Sequence, residues 1–377
     1  MTNKIRAIGA AVLAVLWAVL TGFAWFGPSK EYSDAERRQL AQFPELSLQT
    51  VGDGKFMSAF EDYTLDQFPG RDLFRQLKAL THYYVLQQKD NNDYHIANGY
   101  VAQMSSDFYE DSVNKGLDRM NFLYNTYLKN AGSKVYCAIV PDKGYYIAQD
   151  SNCPATDYDR LFAMVKSATP WATHIDITDA LTLTDYYRTD THWKQENLVP
   201  VAQKLTEAMG MPAPTAEEFT PKPVDYPFYG VYYKQAALPM APDTLQTMES
   251  QRLSGCKVYT YNDRAEKTEI PMYNMEKLTS NDPYNMYMSG ARVGLVKIEN
   301  PNAKTDRNLV VFRDSFGSSL APLLVSEYKT VTLIDIREIP SGNLQFLARV
   351  VELDFTDADV LMLYSTTVLN GKNQELK

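Results

Sequence analysis

Two short segments carry the side chains that nucleophilic acyl transfer needs. RTDTHW at 188–193 supplies an Asp and a His, and FRDSFGSS at 312–319 supplies a Ser. Asp190 and His192 are two positions apart, so an extended backbone turns both side chains the same way. A carboxylate beside an imidazole orients the ring and stabilises its protonated form. Ser315 follows the apolar run Leu309-Val310-Val311-Phe312 and precedes Phe316-Gly317-Ser318-Ser319-Leu320-Ala321, which can open a helix. A serine at a strand-to-helix turn lies among unpaired backbone N–H groups, where the helix dipole favours a developing negative charge. The N–H groups of Ser315 and Gly317 are the expected oxyanion donors. Each segment also has a plainer reading. Ser after Asp near a helix start is a capping pattern, and a His beside a Trp fits a packed side chain. Trp193 reads as core or as a platform for a sugar ring. Arg313 with Asp314 reads as a structural ion pair or cap, or as part of the site.

These residues need a scaffold, and the pattern from about residue 93 supplies one. Asn98-Gly99 is a hairpin turn signal between Tyr94–Ala97 and Tyr100–Met104. A helix is expected at 113–130, stopped by Ala131-Gly132, then a strand at 134–140. The loop Pro141-Asp142-Lys143-Gly144 follows and offers Lys143 to a pocket. A helix at 157–168, a strand near 173–177, the Asp–His segment and a helix at about 195–209 come next. Residues 211–305 break the rhythm with many Pro, Tyr and Asn, and read as an irregular insertion of strands and long loops. The rhythm resumes as strand 309–313, helix 316–326, strand 330–336, helix 342–353 and strand 359–364. Alternating strands and helices imply a parallel sheet with helices on both faces, whose sites form at the carboxyl ends of strands. Ser315, the Asp190–His192 loop and Lys143 all follow strands at that edge.

The chain has 377 residues, 45% apolar and 22% charged, enough for a sizeable core. Its net charge of −9 argues against a nucleic-acid partner, which needs concentrated Lys and Arg. The 26 tyrosines suit a carbohydrate-facing groove or an ordinary extracytoplasmic surface. Cys137, Cys153 and Cys256 show no metal-site spacing, and a Cys137–Cys153 disulfide stays open. The histidines at 82, 95, 174 and 192 form no helical ligand pair, and neither a P-loop nor GxGxxG occurs. No metal and no cofactor is therefore expected.

Lys4 and Arg6 precede twenty uncharged residues, Ala7 to Phe26, a length that spans a bilayer. The exit, Phe23-Ala24-Trp25-Phe26-Gly27-Pro28, is bulky and poor for cleavage, while Trp25 and Phe26 suit the aromatic belt. Residues 1–28 read as an uncleaved signal anchor, positive end in the cytoplasm and the rest outside; a cleaved signal peptide is the alternative. Residues 29–92 read as a helical stalk and packing segment. Ser33 with Glu36 makes a capping box that starts a short helix to about Leu40, and the break DQFPGRD at 66–72 divides the amphipathic helical region at 50–90. Residues 93–377 read as the catalytic domain, with the insertion at about 211–305.

The segments QFPELS at 42–47, DQFPGRD at 66–72, YYRTDTHW at 186–193 and FRDSFGSSLAPLL at 312–324 resemble the DHHW family of Gram-positive bacteria. More distantly they are similar to the alginate O-acetylation proteins of the SGNH hydrolase superfamily. The family's Asp-His-His-Trp reads here Asp190-Thr191-His192-Trp193, so Thr stands at the member outside the triad. The resemblance implies an α/β, parallel-sheet, flavodoxin-like SGNH domain with circularly permuted motif order, and a Ser315–His192–Asp190 triad. It implies an O-acetyltransferase or acetylesterase acting on a cell-surface polysaccharide, with a membrane-bound O-acyltransferase as acetyl donor. Such a protein sits in the bacterial cytoplasmic membrane by a single pass, with its main domain extracytoplasmic. A non-catalytic glycan-binding or scaffold protein using the same cleft is the alternative.

Overall fold

A computed structural model describes the chain except Met1, Arg37, Asn92, Ser151, Asn152, Asp263, Ala291, Arg292, Pro340, Glu352, residues 373–375 and Lys377. It divides into two compact units, residues 1–92 with 233–239, and residues 93–232 with 240–377.

The smaller unit begins with helix α1 (Thr2–Phe26), whose span Lys4–Trp25 is long and apolar enough to cross a membrane. Helices α2 (Lys55–Asp66) and α3 (Arg71–Leu80) follow, separated by a break ending at Gly70, whose φ of +70° suits glycine. The short helix expected from Ser33 does not form. The Glu36 N–H does donate to Ser33 Oγ at 3.2 Å, but the chain then reverses and Tyr32–Ser33 pairs antiparallel with Arg38–Gln39. Ion pairs explain the reversal: Glu36 meets Arg71 at 2.5 Å and Arg38 forks onto Asp66 at 2.5 and 2.7 Å.

The larger unit is built from helices α4 (Glu110–Leu123), α5 (Lys143–Asp150), α6 (Tyr158–Ala168), α7 (Val199–Ala208), α8 (Phe316–Val325) and α9 (Leu344–Val350). The strands of its main sheet are β1 (Lys134–Val140), β2 (Thr173–His174), β3 (Lys257–Tyr261), β4 (Lys267–Ile270), β5 (Leu295–Glu299), β6 (Asn308–Arg313), β7 (Thr330–Ile334) and β8 (Asp359–Ser365). They form one sheet in the order β4-β3-β5-β7-β6-β8-β1-β2. The strands from β7 to β2 run parallel, with Phe312 opposite Ile334 and Met362, and Ser365 opposite Val140. Alternate residues serve opposite faces. Leu309 and Val311 join Leu320, Leu324, Val201 and Leu205 of α8 and α7, while Val310 and Phe312 join Leu117, Leu161 and Val165 of α4 and α6. This two-sided burial is why β6 reads as an unbroken apolar run.

The sheet is mixed rather than wholly parallel. Residues 211–305 supply strands as well as loops, as expected: β3, β4 and β5 extend the sheet antiparallel beyond β7, while Thr220–Phe228 and Asp243–Glu249 pair as a separate antiparallel ribbon. The expected strand near 173–177 shrinks to Thr173–His174, and the loop expected at 141–144 turns helical at Lys143. Helix 342–353 is realised as Leu344–Val350, and Glu352 of that expectation lies outside the described residues. The Cys137–Cys153 disulfide is not formed and all three thiols are free. Cys137 packs in the sheet's interior, while Cys153 packs beside Ala97 and Met104.

Candidate active site

Ser315 stands where β6 ends and α8 begins, in helical conformation (φ −62°, ψ −25°). Its hydroxyl does not cap α8, so the capping reading fails. Asp314 serves instead: one carboxylate oxygen accepts the Phe316 N–H at 3.0 Å, the other the Ser365 N–H at 2.7 Å. The carboxylate thereby ties the turn to the carboxyl end of neighbouring β8. No donor bond from the Ser315 N–H is found among the described residues.

The loop bearing Asp190 and His192 is pinched at its base by a bridge between Tyr186 and Trp193, with the Tyr187 N–H donating to the His192 carbonyl at 3.1 Å. The two side chains meet by a different route from the extended one expected. Asp190 Oδ1 accepts the His192 backbone N–H at 3.0 Å and ring Nδ1–H at 2.6 Å, an Asx-type turn that aims the imidazole. A carboxylate only accepts, so Nδ1 carries the proton and Nε2 is left to accept. Nε2 lies 2.7 Å from Ser315 Oγ. Asp190 is 1% exposed and His192 6%, while Ser315 is half-buried.

Burial alone pushes the Asp190 carboxyl up. The His192 charge, the His192 hydrogen bonds and the Val231 N–H at 2.8 Å outweigh it and hold the carboxyl well below the usual range. It is therefore ionised at neutral pH.

The other expected site residues take supporting places. Trp193 is fully buried and donates to the Phe316 carbonyl (3.2 Å) and Ser319 Oγ (2.9 Å), so its indole offers no free face to a sugar. Arg313 is equally buried, but its ion-pair partner is Asp335, 3.4 Å from Nη1, and not the adjacent Asp314 expected; Nη2 donates to the Val293 carbonyl at 3.2 Å, so the side chain is structural. The Gly317 N–H is spent on the Asp314 carbonyl at 3.2 Å, which removes it from the oxyanion donors. Glycine is needed there for closeness instead, since a Cβ would stand 2.8 Å from Arg313 Cβ. Lys143 lines no open pocket. It is buried behind the loop, where Nζ donates to the carbonyls of Tyr187 (2.9 Å) and Arg188 (3.3 Å) above the Tyr232 ring.

Sequence reasoning missed the clamp supplied from 211–305. Asp243 accepts the N–H groups of Arg188 (3.1 Å) and Thr189 (2.9 Å), and Tyr232 donates to the Thr191 hydroxyl at 3.0 Å. Tyr284 lies flat on His192, ring centroids 3.7 Å apart and planes 6° from parallel, with its hydroxyl donating to Ser319 at 2.7 Å. The only forewarning is the density of Tyr in 226–287. Among the described residues no His, Cys, Asp and Glu cluster that would hold a metal occurs.

Residues 181–334 match the model of the DHHW protein family. A DHHW family protein from Eubacterium siraeum superposes with a TM-score of 0.57 at 19% identity, covering 76% of this chain and 95% of that one. Bacillus cereus PatB1, solved with a sulfonyl adduct, gives 0.59 at 16% identity, covering 75% and 98%. Both likenesses show a shared fold. The O-acetyltransferase domain of Pseudomonas putida AlgJ reaches 0.41 at 16% identity, covering 70% and 85%, too low to show one. A comparison with curated proteins finds no match. The segment holding Asp190, His192 and Ser315 is therefore a DHHW match, set in the fold of a solved DHHW family protein.

Proposed function

We propose that the chain is a cell-envelope O-acetyltransferase or acetylesterase that acts on a surface polysaccharide through Ser315, His192 and Asp190. The observation that carries this reading is the continuous hydrogen-bond chain, 2.6 Å from Asp190 to Nδ1 and 2.7 Å from Nε2 to Ser315 Oγ. In the first step Ser315 Oγ attacks the acetyl carbonyl and its proton passes to His192 Nε2. Asp190 stabilises the imidazolium that results. The oxyanion faces the Ser315 N–H at the start of α8, where one such donor lowers the barrier by roughly 3 kcal/mol. Collapse expels the alcohol of the donor ester, which takes the proton back from Nε2 and leaves acetyl-Ser315. A sugar hydroxyl or water then attacks the acetyl carbonyl and gives its proton to Nε2; collapse expels Ser315 Oγ, which takes that proton back, and the acetyl group leaves on the acceptor. A sugar acceptor makes a transferase, water an esterase.

The motif order, Asp–His before Ser, supports a circularly permuted SGNH arrangement. Residues 1–28 act as the anchor, 29–92 as the stalk and 93–377 as the catalytic domain outside the cytoplasmic membrane. A membrane-bound O-acyltransferase is the fitting acetyl source. The test pairs a chromogenic acetyl ester with a sulfonyl fluoride, the chemical class suggested by the PatB1 adduct. Intact-mass analysis is expected to show one sulfonyl group on the wild-type chain and none on S315A, with hydrolysis lost in parallel. Equal background turnover and no adduct on either protein would replace the enzyme by a glycan-binding protein.

A further inference from the structure

Helix α3 is inside out. Arg71, Arg75 and Ala79, spaced by four, form its inward stripe: the arginine side chains are 19% and 14% exposed and Ala79 is 0%. Leu73, Phe74 and Leu77 occupy the opposite arc at 67%, 49% and 57% exposed. A helix bathed in water does the reverse. The interior is held by charge instead, with Arg71 on Glu36 and Asp66, and Arg75 on Glu36. The same exposure recurs nearby, at Leu48 (96%), Leu65 (62%) and Val85 (72%). Between residues 93 and 377, by contrast, only Phe122, Met275 and Phe346 are large, apolar and exposed among the described residues.

This apolar surface adjoins the end of the span. Trp25, its last residue, packs its ring 5.7 Å from Phe60 of α2. Phe23 of α1 and Leu73 of α3 line one cavity of about 730 Å³. Leu73 and the turn of α1 that leaves the hydrocarbon therefore border the same space. Residues 29–92 carry eight basic against ten acidic side chains, so attraction to anionic lipid is not the driving force. Apolar burial is.

We propose that the Leu73–Phe74–Leu77 face of α3 lies in the interfacial layer of the lipid bilayer that α1 spans. The stalk then lies along the membrane surface rather than rising from it. This rests on the anchor reading of residues 1–28. Lipid fits better than a second copy because the face begins where the span ends, at a depth where lipid is always present.

The test uses the full chain in phosphatidylcholine nanodiscs, with C153S and C256S removing the accessible native thiols. An environment-sensitive nitrobenzoxadiazole label is placed singly by L73C, L77C, V15C or D118C. Blue-shifted emission that brominated phosphatidylcholine quenches is expected for L73C, L77C and V15C, and neither effect for D118C. Blue-shifted but unquenched L73C and L77C would mean a protein partner covers the face and overturn the proposal. Unshifted emission would overturn it in favour of water. A quenched V15C with unquenched L73C and L77C defeats this inference alone, whereas an unquenched V15C defeats the anchor reading.

Discussion

A Cβ at Gly230 would stand 2.2 Å from the Cβ of Asp190 and 2.6 Å from its Oδ2. The backbone at 230 thus touches the carboxylate directly, and the next N–H, that of Val231, donates to it at 2.8 Å. The Gly230 N–H also holds Thr189 Oγ1 at 3.1 Å. A segment forty positions downstream therefore sets where Asp190 can be.

Gly230→Ala is accordingly expected to push Asp190 away and take His192 with it. Misplacing a catalytic group by about 1 Å costs roughly 100-fold in rate. The check is kcat on a chromogenic acetyl ester beside far-UV circular dichroism. A folded variant with unchanged kcat would show that the Asp190 position does not govern turnover.

Asp190→Asn should leave the loop in place yet lower kcat by roughly 10⁴, because an amide can present its N–H to Nδ1 and reverse the imidazole tautomer. The same carboxylate has a stability signature. Its folded pKa is depressed, so the unfolded chain takes up the proton first, near pH 3.9. The stabilisation is full above that pH and lost as pH falls toward the folded value. The gap in melting temperature between wild type and D190N should narrow on acidification below about pH 4. A gap constant from pH 6 to pH 3 would mean that Asp190 titrates normally.

Much of the site was legible because its parts are local. β6 is apolar on both faces, α8 starts at a Ser-Phe-Gly, and Asp190 and His192 are two apart, so sequence carries them unaided. What was not legible depends on closeness between distant segments. Nothing local distinguishes Gly230 from any loop glycine, or Tyr284 from the other tyrosines of its region. Sequence leaves the Gly317 N–H free, because its bond to the Asp314 carbonyl depends on how tightly the turn closes. The Ser33 capping contact formed without its helix, because Glu36 finds a better partner in Arg71, thirty-five positions away. The short-range capping contact is real there, and long-range ion pairs decide the fold around it.

Tyr284 holds His192 by its ring and Ser319 by its hydroxyl, so two variants separate the roles. Tyr284→Phe keeps the face 3.7 Å from the imidazole and loses one hydrogen bond, at a cost of about 1 kcal/mol in stability. Its kcat should stay within a few-fold of wild type. Tyr284→Ala frees the imidazole to rotate and should lower kcat by roughly 10–100-fold with less effect on KM. Were the two variants equally impaired in kcat, the hydroxyl and not the stacked ring would be the part that matters.

Lys143 gives the clearest dependence on pH. Burial pushes its ammonium down to about 7, against the opposing pull of Asp190, Asp243 and Asp142. In the unfolded chain it titrates near 10.4. Between these values the unfolded chain holds a proton that the folded chain has released, so folding gains stability as pH rises from about 7. Below that the lysine is charged in both states and its contribution is flat. Methionine at 143 fills similar space, cannot titrate, and loses the bonds to the Tyr187 and Arg188 carbonyls at every pH. The stability of wild type relative to Lys143→Met should therefore grow by about 2 kcal/mol between pH 7 and 9 and stay level from pH 5 to 6.5. Parallel melting curves for the two proteins across pH 6–9 would mean that the lysine keeps its charge behind the Asp190–His192 loop.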